Sequence, residues 1–448
     1  HYAWDIYAKI SQMVEVDPAL KKELDDLLVK LDNRDPKISR QQSELSKKIL
    51  KDNLLTFSSL DIDYDLIVYE SSIKDMLMWE KTFEILKKNE NVYLAVEGVS
   101  KGCWLVRMRK MGVASVDDAN EVVNIEEDKI IVRSNGIPTY TGKDIAYHMW
   151  KYGLLPMDFN YTRVLTEYQD RYLYETDSQG IANITFSNAD IVMDVIDVRQ
   201  TYAILAVKNT LEYLGYKTQA DNFIHINYGH VYLSHATAVK LGYSGEETDD
   251  KQIAMSGRKG VGVKIDDFIE MVEESLKGSF GNFPNVRDVR NAVIKFDILR
   301  YDTFQDIVFD VDTALNLKGF TGPYTQYTHA RANSLLERAG YINVSEDLGY
   351  MVEKYTKLEI NQSAQEVLKI IYKFPEVVMQ SAKQYAPNLM CVYLYELCQK
   401  FNSFYNDSPI LNEETLDIKD FRLFLTASTK QVIKNGLYLL GITAVDKM

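Results

Sequence analysis

The stretch IAMSGRKGVGVK, at positions 253–264, carries residue types that could bind an anion. Arg258 and Lys259 place two cations between glycines, and an amphipathic stretch follows directly. Guanidinium and ammonium groups neutralise phosphate oxygens, and glycines let the backbone come close to a ligand. A second basic stretch, KGCWLVRMRK at positions 101–110, could supply another local basic surface. Taken alone, either stretch could equally be a solvated loop, as isolated basic clusters usually are.

The charge of the whole chain limits the partners of such a loop. The 448 residues carry a formal net charge of −14, which argues against nonspecific binding to DNA because long-range attraction to phosphate needs a positive field. Cys103, Cys391 and Cys398 are too few and too scattered for a disulfide framework or a zinc site. We therefore expect a reducing, cytoplasmic compartment and no bound metal. We expect no membrane partner either, since no apolar run approaches the roughly 18 residues that span a bilayer.

The candidate residues must be positioned by helices and strands. The sequence predicts a helical region first and then a region of mixed helices and strands. At roughly 150 residues per domain, the length predicts about three domains. Positions 1–90 are mostly helical in pattern, with apolar residues at intervals of three and four. NVYLAVEGVSKGCWLVRM and DKIIVRSNGIPTY are typical of strands. GKDIAYHMWKYGLL follows them, and its pattern predicts a helix that ends at Gly153.

A strand–helix–strand unit is predicted next. DIVMDVIDV, at 190–198, is a nearly continuous apolar run of the kind found in strands buried on both faces. The helix QTYAILAVKNTLEYLGY and one strand, NFIHINYGHVYL, follow it. That order predicts a crossover unit of a doubly wound parallel sheet. Ligands of such sheets lie beyond the carboxyl ends of the strands, where Asp197, Arg199, Gln200 and the segment 229–231 should meet.

The character of the chain changes after about position 285, where helical patterns replace strand signals for the remaining length. The clearest helix covers 386–406 and has a one-sided apolar stripe made of Met390, Leu394, Leu397, Phe401 and Phe404. Cys391 and Cys398 lie seven apart on the same helix, so we expect them to pack in a core and to have no redox role.

Taken in order, several segments resemble arginyl-tRNA synthetase, a class I aminoacyl-tRNA synthetase. Each segment alone would be weak support, whereas six in the family's order are specific. They cover the chain from about position 130 to the end and read GIPTYTGKDIAYH, VIDVRQTYAIL, AMSGRKGVGVKIDDFIE, GPYTQYTHARANSLLERAG, YLYELCQKFNSFYND and GLYLLGITAVDKM. The resemblance implies ATP-dependent activation of L-arginine and its transfer to tRNA(Arg).

The resemblance also implies roles for individual residues. The loop MSGRKG resembles the mobile KMSKS-type loop that binds ATP phosphates, although Ala254 stands where the first lysine would be. The residues that the resemblance places in activation are Met255, Ser256, Arg258 and Lys259, with Gly229, His230, Val231 and Gly260 at ATP. Those that it places at the arginine side chain are Tyr140, Asp144 and Gln200. From the residues alone, Tyr140 and Asp144 could simply begin a helix, with the carboxylate favoured in its first turn.

The helical part resembles the anticodon-binding bundle of the family. The residues that match anticodon-contacting positions are Tyr327, Arg331, Tyr405 and Met448, although Tyr405 follows the apolar stripe and could belong to the core instead. The predicted fold is therefore a partial α/β nucleotide-binding, Rossmann-like catalytic domain followed by an all-α anticodon-binding bundle. We place the catalytic domain at 1–265, with a connecting insertion at about 30–130, stem helices at 266–320 and the bundle at 321–448.

One family signature is not found in the sequence. Class I synthetases carry a HIGH-type motif in the first half of the sheet, and its absence here predicts a chain that is the later portion of a longer enzyme. The substrates would be L-arginine, tRNA(Arg) and ATP with Mg²⁺, with no organic cofactor, and we expect a monomer. Two alternatives stay open: a noncatalytic tRNA-binding protein derived from a synthetase, and another class I synthetase, such as a cysteine-specific one.

Overall fold

The computed structural model describes residues 2–32, 34–109, 114–116, 122–124, 128–164, 172–180, 183–243, 252–253, 263–341 and 354–448. The chain divides into two compact units. One unit contains residues 1–62 and 230–448, and the other contains residues 63–229.

The described helices, in chain order, are α1 Tyr2–Val16, α2 Pro18–Asp32, α3 Pro36–Ser59, α4 Glu70–Asp75, α5 Met78–Leu86, α6 Tyr140–Lys151, α7 Thr201–Tyr213, α8 Lys217–Asp221, α9 His235–Lys240, α10 Ile265–Phe280, α11 Val286–Leu299, α12 Val311–Ala314, α13 Gly322–Ala339, α14 Gln362–Gln384, α15 Asn388–Asp407 and α16 Leu416–Leu439. A 3₁₀ turn, Val198–Gln200, precedes α7. None of the described helices is both long enough and apolar enough to cross a bilayer.

The described strands, in chain order, are β1 Leu66–Ile67, β2 Val92–Leu94, β3 Trp104–Val106, β4 Ala114–Val116, β5 Val122–Asn124, β6 Lys129–Val132, β7 Tyr161–Val164, β8 Leu173–Thr176, β9 Val192–Asp197, β10 Phe223–Tyr228, β11 Val231–Ser234, β12 Gln252–Ile253 and β13 Ile307–Phe309. They pair as small sheets in the orders β1-β8-β7, β2-β3-β6, β4-β5, β10-β9 and β12-β11-β13.

The predicted strand–helix–strand unit is present in the unit 63–229. Strands β9 and β10 are parallel, with Val192 opposite Phe223 and Asp197 opposite Tyr228, and α7 connects them. The prediction that β9 is buried on both faces is wrong, because Met193 and Val195 are 48% and 67% exposed. The side chains alternate across the strand, and on the opposite face Val192 is buried while Asp194 and Ile196 are partly buried.

The stretch NFIHINYGHVYL does not form the single strand that was predicted. It breaks at Gly229 and His230 into β10 and β11, which belong to different sheets. Strand β11 pairs parallel with β13 and antiparallel with β12. Strand β13 is also an exception to the helical character predicted beyond position 285. A three-residue strand carries too short a pattern to distinguish it from a loop in the sequence.

Helix α6, which carries two of the predicted arginine-binding residues, is defined by its ends. The hydroxyl of Thr139 accepts a hydrogen bond from the Gly142 amide at 3.3 Å and so caps the first turn. A Cβ at Gly142 would lie 2.5 Å from the carbonyl oxygen of Ile131, so only glycine lets the helix pack this closely on β6. Gly153, at φ +66°, follows the helix and confirms the predicted end.

The helices α13–α16 of the other unit pack around the predicted apolar stripe. On α15, the residues Met390, Leu394, Leu397, Phe401 and Phe404 are all at most 2% exposed. Cys391 and Cys398 are free thiols in the same core, and burial raises the pKa of each to about 12. Thiols that hold their proton so firmly are poor nucleophiles, which agrees with the predicted packing role.

Candidate functional site

Two of the predicted arginine-binding residues share one face of α6. Tyr140 and Asp144 are one helical turn apart, so their side chains are neighbours. Tyr140 is 73% exposed, and the ammonium of Lys143 lies 5.7 Å from the centre of its ring. Asp144 is less exposed, and burial raises the pKa of its carboxyl group above the usual value. The pair therefore combines an accessible phenol with a poorly solvated acid.

The Asp144 carboxylate has no direct cationic partner among the described residues. No hydrogen bond or ion pair joins this side chain to another residue in the part of the chain that the structure describes. The ammonium of Lys143, the residue before it, donates instead to Glu70 Oε1 at 2.6 Å. The nearby carboxylates of Asp194 and Glu70 raise the pKa of Asp144 further, while His148 and Lys151 lower it. A carboxylate that is buried without a direct partner is a natural receptor for an incoming cation.

A buried ionic network fixes α6 against β9. His148, one turn after Asp144, donates from Nδ1 to the Asp144 carbonyl oxygen at 2.7 Å and faces Asp194 Oδ2 with Nε2 at 2.8 Å. Lys151 donates to the other oxygen of Asp194, also at 2.8 Å. Both ring nitrogens of His148 therefore face oxygen atoms, the carbonyl of Asp144 and the carboxylate of Asp194. Burial raises the pKa of Asp194, but the bonds from His148 and the charge of Lys151 outweigh it and lower the pKa overall.

Sequence reasoning missed this network. The β9 stretch was predicted as a nearly continuous apolar run, and His148 was assigned no role. The available signal was Asp194 itself, an acid in the middle of a strand pattern that otherwise alternates apolar residues. A mid-strand acid needs a buried partner, and the histidine and lysine three apart on α6 supply it.

Gln200, the third predicted arginine-binding residue, ends the 3₁₀ turn that follows β9 and is exposed. Arg199 beside it donates from its backbone amide, Nε and Nη2 to Asp197 at 2.8 to 2.9 Å. Asp197 and Tyr228 are opposite each other in the parallel pair, so this turn and Gly229 lie at the predicted carboxyl edge. No hydrogen bond between described residues joins Gln200 to Tyr140 or Asp144, and the three-residue pocket stays a prediction.

The predicted ATP residues are only partly described. Gly229 is buried at the end of the unit 63–229. In the other unit, the backbone amide of His230 donates to Asp306 Oδ1 at 2.8 Å and its carbonyl accepts from Ile307 at 2.8 Å. Val231 opens β11 and is 36% exposed. The predicted activation residues Met255, Ser256, Arg258, Lys259 and Gly260 lie outside the described residues. No cluster of the described acids, histidines and cysteines could hold a metal ion.

The four predicted anticodon residues line one cavity, which we call the α13 groove. Its volume is about 590 Å³, and its lining residues are Tyr327, Ala330, Arg331, Ser334, Leu335, Arg338, Tyr405, Asn406, Leu411, Lys447 and Met448. Three cations and two phenol rings therefore face one cavity in a chain of net charge −14. The overall negative charge argues against broad attraction to phosphate, but it does not exclude a local basic surface such as this one.

Arg331 lies between the two tyrosines of the groove. Its Nη2 donates to the Tyr327 hydroxyl at 3.1 Å and its Nη1 to Asn402 Oδ1 at 2.6 Å. Its guanidinium carbon is 4.8 Å from the centre of the Tyr327 ring and 5.2 Å from that of Tyr405. Tyr405 also contacts the buried Phe401, with ring centres 6.4 Å apart. One side of Tyr405 thus packs against the core and the other side lines the groove. A core role and an anticodon-contacting role are therefore compatible for this residue.

Known proteins resemble the chain over nearly its whole length. Residues 325–448 match the family model of the DALR anticodon binding domain. The arginine–tRNA ligase of Pyrococcus furiosus is 33% identical over 99% of this chain and 67% of its own length. The corresponding ligase of Thermus thermophilus is 28% identical over all of this chain and 70% of its own. The solved Thermus thermophilus arginyl-tRNA synthetase superposes with a TM-score of 0.74 at 26% identity, covering 96% of this chain and 70% of that one.

Proposed function

The chain belongs to the arginyl-tRNA synthetase family, and from this premise we propose that Asp144 selects the arginine substrate and the α13 groove binds the anticodon loop. The family consists of aminoacyl-tRNA ligases, so the reaction is the ATP-dependent joining of arginine to tRNA. The relatives' names favour this reading over the cysteine-specific alternative. The structural match supports the predicted α/β part followed by an anticodon-binding bundle.

Selection of arginine rests on one observation, the partly buried carboxylate of Asp144 without a direct cationic partner among the described residues. A guanidinium is planar, permanently charged and carries five N–H donors, so it can bind both oxygens of one carboxylate. Its arrival compensates the burial of the acid by direct contact, which no described side chain does. Tyr140 and Gln200 supply a phenol and an amide oxygen as further acceptors. The His148–Asp194–Lys151 network holds α6 rigid so that Asp144 need not reorganise.

Activation joins the carboxylate of arginine to the α-phosphate of ATP and releases pyrophosphate. Negative charge accumulates on the leaving pyrophosphate, so cations that contact it in the transition state lower the barrier. Arg258 and Lys259 have this chemistry, and Met255, Ser256 and Gly260 belong to the same loop. Gly229, His230 and Val231 supply backbone for adenine. ATP is bound as a substrate with Mg²⁺, and the second step passes the arginyl group to the tRNA ribose.

Anticodon binding in the α13 groove follows from its lining. Unpaired RNA bases stack on aromatic rings and on guanidinium planes, and the phosphates next to them need cations. Tyr327, Arg331 and Tyr405 offer three such faces within one cavity, with Met448 as an apolar wall. The match of 325–448 to an anticodon binding domain supports this role. The match begins at 325, four residues after our proposed lower boundary for the bundle, at 321. The stem helices at 266–320 and the catalytic domain at 1–265 stay predictions.

The arginine pocket is tested by replacing Asp144 with alanine and measuring arginine-dependent exchange of pyrophosphate into ATP. We expect the exchange to be abolished. Glu84→Gln is the matched control, because Glu84 is an exposed acid of the same unit that pairs with Lys81 at the surface. Exchange at the wild-type rate in Asp144→Ala would show that the pocket assignment is wrong.

A cytoplasmic location and a monomeric state stay predictions from the sequence.

The groove is tested by the binding of the isolated anticodon stem-loop of an arginine tRNA, followed by fluorescence anisotropy. Tyr405→Leu keeps an apolar contact with Phe401 and removes the ring, so we expect a loss of about 1–3 kcal/mol in binding. Arg331→Gln should also reduce the dependence of log K on log salt by about 0.7 for one lost phosphate contact. Unchanged affinity in both variants would show that the groove does not bind the anticodon loop.

A further inference from the structure

A row of buried polar side chains on α13 binds the backbone of the segment 443–446. Gln326 Nε2 donates to the Thr443 carbonyl oxygen at 2.7 Å. His329 Nδ1 donates to that of Val445 at 2.9 Å, and Asn333 Nδ2 to that of Asp446 at 3.2 Å. The three donors are 0%, 1% and 6% exposed. Buried polar groups are costly unless they form hydrogen bonds, and all three residues use a donor on this segment. Gln326 and Asn333 also donate to the Asp288 carbonyl oxygen at 3.2 Å and to Glu337 Oε1 at 3.0 Å.

The spacing of the row explains how one helix can bind an extended chain. Positions 326, 329 and 333 are three and four apart, which places them along one stripe of α13. The segment has no regular secondary structure, and no other hydrogen bond between described residues reaches the carbonyls of Thr443, Val445 and Asp446. Val445 within the segment and Ile442 just before it are each 3% exposed, and each packs in an apolar core of the same unit. The segment is therefore held by its backbone and by two apolar side chains.

The held segment leads directly into the α13 groove. Lys447 and Met448 follow the last bound carbonyl by one and two residues and line the cavity beside Arg331. Lys430 braces the same point, because its ammonium donates to Asn333 Oδ1 at 2.7 Å and lies 3.7 Å from Asp446 Oδ1. The opposite end of the segment is fixed by Lys295, which donates to the Gly441 carbonyl at 2.7 Å.

We propose that Gln326, His329 and Asn333 are positioning residues that hold the segment 443–446 so that Met448 forms one wall of the anticodon-binding groove. None of the three touches RNA. They act on the backbone carbonyl oxygens of Thr443, Val445 and Asp446 and not on the side chains of the segment. The inference rests on the proposed function, because the position of Met448 affects RNA binding only if the groove binds the anticodon loop.

The loss of these donors should release the segment and leave the helices intact. Short irregular segments at the edge of a domain open at low cost unless side chains fix them. The double variant Gln326→Leu/His329→Phe removes two donors at similar volume and keeps Asn333. We expect about tenfold weaker binding of the anticodon stem-loop, the effect of about 1.4 kcal/mol. Met448→Ala should weaken binding by a similar factor, because it removes the wall itself.

The decisive experiment is a double-mutant cycle on the affinity for the anticodon stem-loop. If the donors act through Met448, adding Met448→Ala to the donor variant should cause no further loss. Independent losses that multiply to about a hundredfold would overturn the proposal. Thr325→Val is the matched control, since Thr325 is fully buried on α13 and its hydroxyl donates within that helix, to the Thr321 carbonyl. It should leave the affinity unchanged, and an equal loss there would attribute the effect to general damage of the helix.

A second measurement needs no RNA. With ¹³C-methyl methionine labels, the Met448 methyl signal should have a packed, dispersed shift in the wild type and in Thr325→Val. It should move to the random-coil position in the donor variant, or in the milder Asn333→Ala if the donor variant does not fold. An unmoved signal would overturn the inference. If the wild type bound a scrambled loop as tightly as the arginine anticodon loop, the proposed function would fail. The methyl signal would still test whether the three donors hold the segment 443–446.

Discussion

Replacement of Asp144 by asparagine should stabilise the free protein and weaken its binding of arginine, so stability and affinity should change in opposite directions. The substitution keeps the shape of the side chain and removes its charge. Burial raises the pKa of the Asp144 carboxyl, so the fold disfavours the ionised form relative to the unfolded chain. That unfavourable contribution is absent at low pH and develops as pH rises through the carboxyl range. At neutral pH, the neutral amide should therefore raise the melting temperature.

The magnitude of the binding defect follows from the contact that is lost. Truncating one partner of a desolvated, hydrogen-bonded charge pair costs about 2–4 kcal/mol. This corresponds to about a 30- to 700-fold higher Kd for L-arginine. Isothermal titration calorimetry on the whole chain measures the affinity, and thermal unfolding without ligand measures the stability.

Asp194→Asn is the matched comparison, because it removes a carboxylate of the same unit that already has partners. It separates His148 and Lys151 from their common acid, so we expect a loss of stability of about 3 kcal/mol. Opposite shifts of the melting temperature in the two variants are the predicted outcome. If Asp144→Asn lowered the melting temperature and kept the arginine affinity, Asp144 would be a structural acid and the reasoning would be refuted.

Three further outcomes are expected. Asp158→Ala should lower the free energy of unfolding, measured in urea, by about 2–4 kcal/mol. The reason is that this carboxylate accepts hydrogen bonds from the side chains of Trp150, Tyr161 and Thr185 and from the Phe159 amide. A loss below about 1 kcal/mol would contradict this prediction. Burial lowers the pKa of His329, so stability should be complete above about pH 6.5 and fall as pH drops towards that lower pKa. The charges of Lys430, Lys434 and Asp446 act on the same ring, and His329→Phe should remove its share of the slope below about pH 6.5; an unaltered slope would contradict this prediction. Arg258→Ala should lower the rate of arginine activation, measured in single-turnover kinetics, more than it lowers the affinity for arginine. A larger effect on affinity than on rate would show that Arg258 does not act in the activation step.

The local features of the fold were predictable from the sequence because short-range physics produces them. The Thr139 cap and Gly153 bound α6, and the intervals of four and three on α15 place Phe401 and Phe404 in the core. The strand β9 and its partner β10 followed from pattern and order. The break at Gly229 did not, since neighbouring strands of different sheets can be continuous in sequence and alike in composition.

The parts of the site that escaped prediction depend on contacts between distant residues. His148 and Asp194 are 46 residues apart, and Gln326 and Thr443 are 117 apart. No periodicity in one sequence encodes such pairings, and a buried polar side chain shows only that some partner must exist. The α13 groove was foreseen as four separate residues, but the position of Arg331 between two rings required the folded helices.

The central claim is that a carboxylate on α6 recognises a positive charge, and the ratio of affinities for L-arginine and L-citrulline tests it most directly. Citrulline has nearly the same shape, with a neutral ureido group in place of the guanidinium. The wild type should bind arginine at least about 30-fold more tightly, and Asp144→Asn should reduce that ratio to near one. A ratio that is the same in the variant and in the wild type would contradict the assignment of Asp144.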